Sequence, residues 1–344
     1  MKKLVYLLVA VMCLALFSCS EEEEVTPNEQ ITEDVVTNES EDVIQESPAS
    51  DFTYKIGISD LKGYVAITGY VGTSEHVVVP KEIDGLPVTS LAVTHQEDNT
   101  VTGTFEGSKI KTIVLPESIE IVNGLAFKDC KELVEVTLPK SIVYIDEWAF
   151  MNCEKLEKID CSHTKLKRIF WRAFENCVAL KSVMLSDCIE FIGENAFYNC
   201  SSLEEMHFPE SLTKIDNGAF NYCTSLKRIN IPPKLSLYAN EIAVFVCNDS
   251  LETVIIEPGR EVIEGYLFFV LYNNCEVIIP ESVKKISFDA FMMFDNAKLV
   301  FLGDCPEMYE KYSLSKNLII CYDPNTNGWD NCPWKETYTF IPMT

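Results

Sequence analysis

Five phenylalanines, Phe127, Phe150, Phe174, Phe197 and Phe220, follow one another at intervals of 23, 24, 23 and 23 residues. Ala stands directly before each, at Ala126, Ala149, Ala173, Ala196 and Ala219. Cys follows three positions later, at Cys130, Cys153, Cys177, Cys200 and Cys223, and Leu three beyond that, from Leu133 to Leu226. Five copies in phase restrict the chain to stacked repeats. A unit this short cannot bury its own apolar side chains, so neighbouring units must bury them as columns of like residues.

Each unit closes on a segment such as Val136-Thr137-Leu138-Pro139 or Ile229-Asn230-Ile231-Pro232, and an isoleucine pair recurs, as in Ser141-Ile142-Val143-Tyr144-Ile145. Leu-x-x-Val-x-Leu alternates like a short strand, and the Pro ends its ladder. Ile-x-x-Ile runs back along the other side, and Ala-Phe-x-x-Cys-x-x-Leu is read as a tight, partly helical turn. The full unit, Pro-x-Ser-Ile-x-x-Ile-x-x-x-Ala-Phe-x-x-Cys-x-x-Leu-x-x-Val-x-Leu, resembles the BspA-type leucine-rich repeat of bacterial surface proteins. Clear copies cover 110–232, weaker ones 233–303, and Ala290-Phe291 restores the phase. The expected fold is a leucine-rich-repeat solenoid over 110–303, with some nine coils stacked about 4.8 Å apart into a rod near ~40 Å. It is built of short parallel strands, turns and short helical segments.

Charge pattern supports the stacking. Glu157, Lys181, Glu204, Lys227 and Glu252 follow the strand-opening Leu and alternate in sign from coil to coil. Glu135 likewise meets Lys158, and Glu205 meets Arg228. Like charges directly opposite would repel; these are register and solubility devices.

The termini depart from the period. Met1-Lys2-Lys3, the apolar run Leu4 to Phe17 and Ser18-Cys19 read as a signal peptide over 1–18, too short for a bilayer span. Leu16-Phe17-Ser18-Cys19 resembles the bacterial lipobox, which implies lipidation of Cys19 and a membrane anchor. Ser20 and Glu21–Glu24 look like the acidic signal that sends lipoproteins of the Bacteroidetes to the cell exterior. Residues 19–50 form an acidic tether: twelve carboxylates and no Lys or Arg occupy 21–51, giving a reach of about 30 Å. Residues 51–109 are expected to form an N-terminal β cap and irregular first coil, with an insertion around Gln96–Thr102. Residues 304–344 are expected to form a C-terminal cap in which the rings of Trp329 and Trp334 cover the last coil. A ligand-binding tryptophan pair is the rival reading.

Composition and motifs exclude several function classes. Acidic residues outnumber basic ones 53 to 28, for a net charge of −25, against any nucleic-acid partner. The four histidines, His76, His95, His163 and His207, share no short spacing with Cys or one another, so no metal site is expected. There is no Gly-x-Ser-x-Gly elbow, phosphate loop or Rossmann fingerprint. No catalytic residue and no cofactor are assigned. Removing Cys13 with the signal and Cys19 with lipid leaves twelve cysteines. Five share one repeat position, where a reduced, buried column fits better than bridges. Cys305, Cys321 and Cys332 are the better candidates for pairing.

The exposed face of the strands remains. Its column reads Val114, Thr137, Asp160, Met184, His207, Asn230, Ile255, Ile278 and Phe301. Ile255, Ile278 and Phe301 form an apolar stripe there, an interaction surface or a seat for the C-terminal tail; its position at that end favours the tail. The family resemblance implies a non-catalytic surface module that adheres to host or bacterial surface proteins, with Met184, His207 and the stripe as candidate contacts. The second reading is a glycan-binding accessory of a surface uptake system, with Trp148, Trp171, Trp329 and Trp334 as platforms. The third is a structural envelope protein.

Overall fold

Backbone hydrogen bonds in this protein run from coil to coil, because a turn of 23 residues brings each strand beside its counterpart in the next copy. The computed structural model describes residues 45–59, 62–236, 244–264, 275–287, 290–291, 296–308 and 317–344. The signal segment 1–18, Cys19 and the tether as far as residue 44 lie outside the described residues. The chain makes about 11 turns at ~23-residue spacing, more than the nine expected.

Two parallel ladders define each turn. The longer begins with His76–Val78, Thr112–Val114 and Glu135–Thr137, continues through Lys158–Asp160 and Ser182–Met184, and ends in seven strands from Glu205–Met206 to Thr339–Pro342. The shorter contains Ile121–Val122, Tyr144–Ile145, Arg168–Ile169, Phe191–Ile192 and Lys214–Ile215, and resumes with Val262–Ile263 beside Lys285–Ile286. Alternate residues of the longer ladder point inward: Ile113, Val136, Ile159, Val183, Met206 and Ile229 are all buried.

The third side of each turn differs from expectation. It is not helical: the only helices among the described residues are 3-10 turns at Ala49–Asp51 and Trp329–Asn331. Its N–H groups donate forward to the next coil, as from Phe127 to Ala149 O (2.8 Å), Phe150 to Ala173 O (2.7 Å) and Phe174 to Ala196 O (2.7 Å). Two columns with positive φ make that possible. The first runs Leu125, Trp148, Arg172, Asn195, Gly218; the second runs Asp129, Asn152, Asn176, Asn199, Tyr222. Asn and Asp tolerate this left-handed region better than most residues.

The phenylalanine rings stack as the period requires. From Phe105 through Phe127, Phe150, Phe174, Phe197 and Phe220, centroids lie 5.0–5.2 Å apart with planes within 11° of parallel. Phe245 extends the column at 5.6 Å. Each cysteine thiol donates to the Phe carbonyl of the preceding coil: Cys130 to Phe105 O (2.9 Å), Cys153 to Phe127 O (3.1 Å) and Cys177 to Phe150 O (3.1 Å). Ser141 and Ser211 do the same to Ile119 O and Ile189 O, both at 2.6 Å. These repeated Cys and Ser side chains thus tie coil to coil while their own polar atoms stay paired.

Both ends carry more of the solenoid than expected. At the N-terminus, Phe52–Ser59 and Lys62–Tyr70 form an antiparallel pair, and Leu86–Leu91 lies parallel to the second strand. His76–Val78 already joins the longer ladder, opposite Thr112–Val114. The insertion around Gln96–Thr102 is a hairpin, Thr94–His95 with Val101–Thr102. Contacts begin before residue 51, since Ser47 N–H donates to Val78 O at 2.8 Å. At the C-terminus, Ile319–Tyr322 and Thr339–Pro342 are two further parallel strands of the same ladder. Their steps shorten to 21 (Leu299 to Ile320) and 20 (Ile320 to Phe340), which hid them from a 23-residue search.

Candidate binding surface

Strand alternation leaves one column of the longer ladder facing outward. In its middle, Thr137 and His207 are exposed, while Asp160 and Met184 are half-buried. Asp160 and Met184 are paired in register, so the surface residue changes from coil to coil over a constant interior. Asn230 closes this polar stretch: its amide accepts from Phe208 N–H (2.6 Å) and donates to Phe208 O and Glu257 Oε1 (both 2.7 Å).

The apolar stripe follows, with one correction. Hydrogen-bond register places Asn230, Ile255, Ile278, Val300, Cys321 and Ile341 side by side. Phe301 pairs instead with Ile279 and is buried. The step into that strand is 22 residues, so a constant count of 23 lands one position late, and one position reverses the face. Ile255 and Ile278 are half-buried, Val300 and Cys321 are buried, and Ile341 is 45% exposed. Among the described residues, the tail adds strands beside the stripe, supplying Cys321 and Ile341 to the same column.

Trp329 and Trp334 are also buried. The Trp329 indole N–H donates to Thr326 Oγ1 (2.9 Å), and its ring meets Phe301 edge-on at 5.0 Å and Tyr322 at 5.1 Å. Trp334 meets Phe291 at 6.3 Å and Tyr338 at 5.8 Å. Both rings serve the interior of the last coils rather than a surface platform.

Trp148 and Trp171 stand differently. They sit on the turn edge of adjacent coils, half-buried, with centroids 4.7 Å apart. Arg172 lies over Trp171 at 4.8 Å, and its Nη1 is 3.3 Å from Glu175 Oε2. Burial pushes the Glu175 carboxyl up, against the opposing pull of Arg172. Two coils on, Tyr198 and Tyr222 meet at 5.2 Å, with Tyr222 42% exposed. The two ring pairs occupy different positions of the turn, Trp148 and Trp171 before the core Phe of their coils and Tyr198 and Tyr222 after it, and sequence reading named only the tryptophans.

A second feature was missed on the same edge. Asn152 donates to Asp129 Oδ1 (2.7 Å), Asn176 to Asn152 Oδ1 (2.9 Å) and Asn199 to Asn176 Oδ1 (2.9 Å). The recurring Asn-Cys pair carried the signal. This ladder holds the turns in register; it is not a ligand site.

Charge pairing follows the predicted register. Lys181 reaches Glu157 at 3.1 Å, Lys227 reaches Glu204 at 3.1 Å, and Lys158 reaches Glu135 at 3.0 Å. All are exposed and worth a few tenths of a kcal/mol, about. Among the described residues, no three His, Cys, Asp or Glu side chains come together to hold a metal ion. No helix among them is long and apolar enough to cross a membrane. Burial pushes the Cys130 thiol up to about 11 and the Cys223 thiol up to about 12.

The model of the BspA type leucine rich repeat region matches in 6 copies over residues 101–204 and 167–298. Among solved structures, a leucine rich repeat protein of T. pallidum is 24% identical over 75% of this chain and 86% of its own, with a TM-score of 0.40. A leucine-rich repeat protein of Bacteroides ovatus is 17% identical over 85% and 98%, with a TM-score of 0.35. The pneumococcal vaccine antigen PcpA is 16% identical over 86% and 92%, with a TM-score of 0.32. None of the curated proteins matches significantly.

Proposed function

The chain belongs to the BspA-type leucine-rich-repeat family, and we propose that it works as a surface-displayed, non-catalytic protein-binding module. In this reading Cys19 carries lipid, the acidic tether lifts the solenoid from the outer membrane, and the repeats face the cell exterior. A repeat fold of this kind presents a long outer column whose residues vary while the interior stays constant. The supporting observation is that column: Thr137, Asp160, Met184 and His207 differ in chemistry at one structural position, over coils whose Phe, Cys and Leu do not change. The partner class is a host or bacterial surface protein that docks along the column.

The decisive experiment is binding of the purified protein to a panel of matrix and bacterial surface proteins, repeated with Met184→Glu and His207→Glu. A micromolar or tighter partner that weakens at least about tenfold in both variants supports the reading, tenfold being about 1.4 kcal/mol. A partner indifferent to both, or no partner across the panel, defeats it. Protease treatment of intact cells tests display separately. A protein protected until the outer membrane is opened would place the solenoid inside.

One observation favours the glycan reading as the second. The pairs Trp148 with Trp171 and Tyr198 with Tyr222 offer partly exposed rings, with Arg172 over Trp171, surfaces on which sugar faces can stack. Glycan-array binding abolished by Trp171→Ala, with the outer-column variants unaffected, would select it.

A further inference from the structure

Two cysteines outside the interior column lie on segments that cross where the coil length shortens. Cys305 lies just past the strand Lys298–Phe301, and its N–H donates to Asn327 O at 2.9 Å. Cys332 closes the 3-10 turn Trp329–Asn331, with its N–H on Trp329 O at 3.3 Å. Between them Gly328 takes φ +88°, and a Cβ placed there would stand 3.1 Å from Cys305 Cβ. The backbone of one segment is thus pressed against the side chain of the other. Cys332 Sγ lies 3.8 Å from Met308 Sδ, three residues on from Cys305, so the two segments also touch at this second point. Cys305 is partly exposed and Cys332 buried.

We propose that Cys305 and Cys332 are a redox-sensitive pair whose disulfide staples the last two coils of the solenoid, and that Cys321 takes no part. Cys321 is in register with Val300 and Ile341 on the outer column, near Lys298. The five column thiols differ again: each is engaged by a Phe carbonyl, and their parallel side chains are poorly aimed at one another. Cys305 and Cys332 lie instead on two segments that cross, with Gly328 against Cys305 and Met308 against Cys332. Shared hydrogen bonding with Cys305 draws the Cys332 thiol below its ordinary range, which favours the nucleophilic thiolate. In the oxidation, two S–H bonds break and one S–S bond forms. Two electrons and two protons pass to a small-molecule disulfide such as oxidised glutathione, whose own S–S bond breaks to give two thiols.

Closing a loop between positions 305 and 332 constrains the unfolded chain around Ile319–Tyr322 and Trp329. The oxidised protein is expected to melt roughly 5 °C or more above the reduced one. The test uses the purified full chain, equilibrated in oxidised or reduced glutathione, alkylated, digested and mapped by mass spectrometry. A reducible 305–332 peptide, with a melting shift that Cys305→Ser removes, supports the proposal. Pairing of either residue with Cys321, or alkylation of both under oxidising conditions as complete as that of exposed Cys188, overturns it. Mapping of the unmodified chain decides the matter even if the variant folds poorly. The inference is independent of the binding reading. A pair that closes in glutathione but is reduced on cells would count against export, not against the pair.

Discussion

The middle coils and the last coils of this protein solve one packing problem in two ways. From Phe105 to Phe220, every coil repeats the same side chain at the same place, and six rings lie face to face at 5.0–5.2 Å. From Thr253 onward the step varies, through 23, 22, 21 and 20 residues, and the rings meet at steep angles, 62° for Phe301 with Trp329 and 80° for Phe291 with Trp334. An interior position held by Ile119, Ile142 and Ile189 is taken by Arg260, whose buried guanidinium donates to Pro232 O and Leu235 O and pairs with Glu264. Yet the strand ladder runs through both regions. Backbone pairing needs only the right spacing, whereas the side-chain columns need the right residue.

The largest effect should come from the ring column. Phe174→Ala removes a ring packed on both faces and should cost about 3–5 kcal/mol, read as a drop in the urea midpoint. The equivalent Phe220→Ala, beside the less regular Phe245, should cost less because its surroundings can collapse. Equal losses would mean that the regular stack has no special stiffness.

Next comes pH. Burial raises the Cys130 and Cys223 thiols, so at these two the folded state favours the protonated form and the unfolded state ionises first, near 9. Their contribution is present below that value and is lost as pH rises through about 11 for Cys130 and about 12 for Cys223. For Cys130 alone the loss is on the order of 2–3 kcal/mol. Denaturation curves from pH 8 to 12 should show it, and Cys130→Ala should flatten the decline. An unchanged slope in that variant would show that another group is responsible.

Asn176→Ala breaks two amide bonds of the turn ladder and puts Ala at φ 61°, for an expected loss of about 1–2 kcal/mol. Asn317→Ala, with a single partner in Asn296 at 2.9 Å, should lose about half as much. A loss at Asn317 equal to that at Asn176 would make the left-handed backbone, not the ladder, the cause. Smallest is Lys181→Ala, which exposes Glu157 without its partner and should cost a few tenths of a kcal/mol, about, vanishing at high salt.

Much of the fold was legible because repetition reports itself. Phe127, Cys130 and Leu133 recur in phase, and identical sequence in a stack must take identical positions. The alternation of Glu157 and Lys181 fixes the register that their ion pair across adjacent coils follows. Phe301 was misplaced for the converse reason: a constant count fails once the coil length changes, and nothing local in Lys298-Leu299-Val300-Phe301 marks the step of 22. Trp329 and Trp334 misled similarly, since an indole in an irregular segment looks the same whether it fills a gap or meets a ligand. The asparagine ladder was present in the sequence but invisible as an interaction, because Asn152 and Asn176 stand 24 residues apart.

The sequence by itself determined the repeat, the identity of the interior columns, the direction of stacking and the charge register, since each follows from spacing along the chain. Only the tertiary structure decided where the coils end, which face each residue of the shortened coils takes, and that the segment of Cys305 crosses the segment of Cys332. Those depend on cumulative small differences in coil length, and a displacement of a single residue turns a side chain from solvent to core.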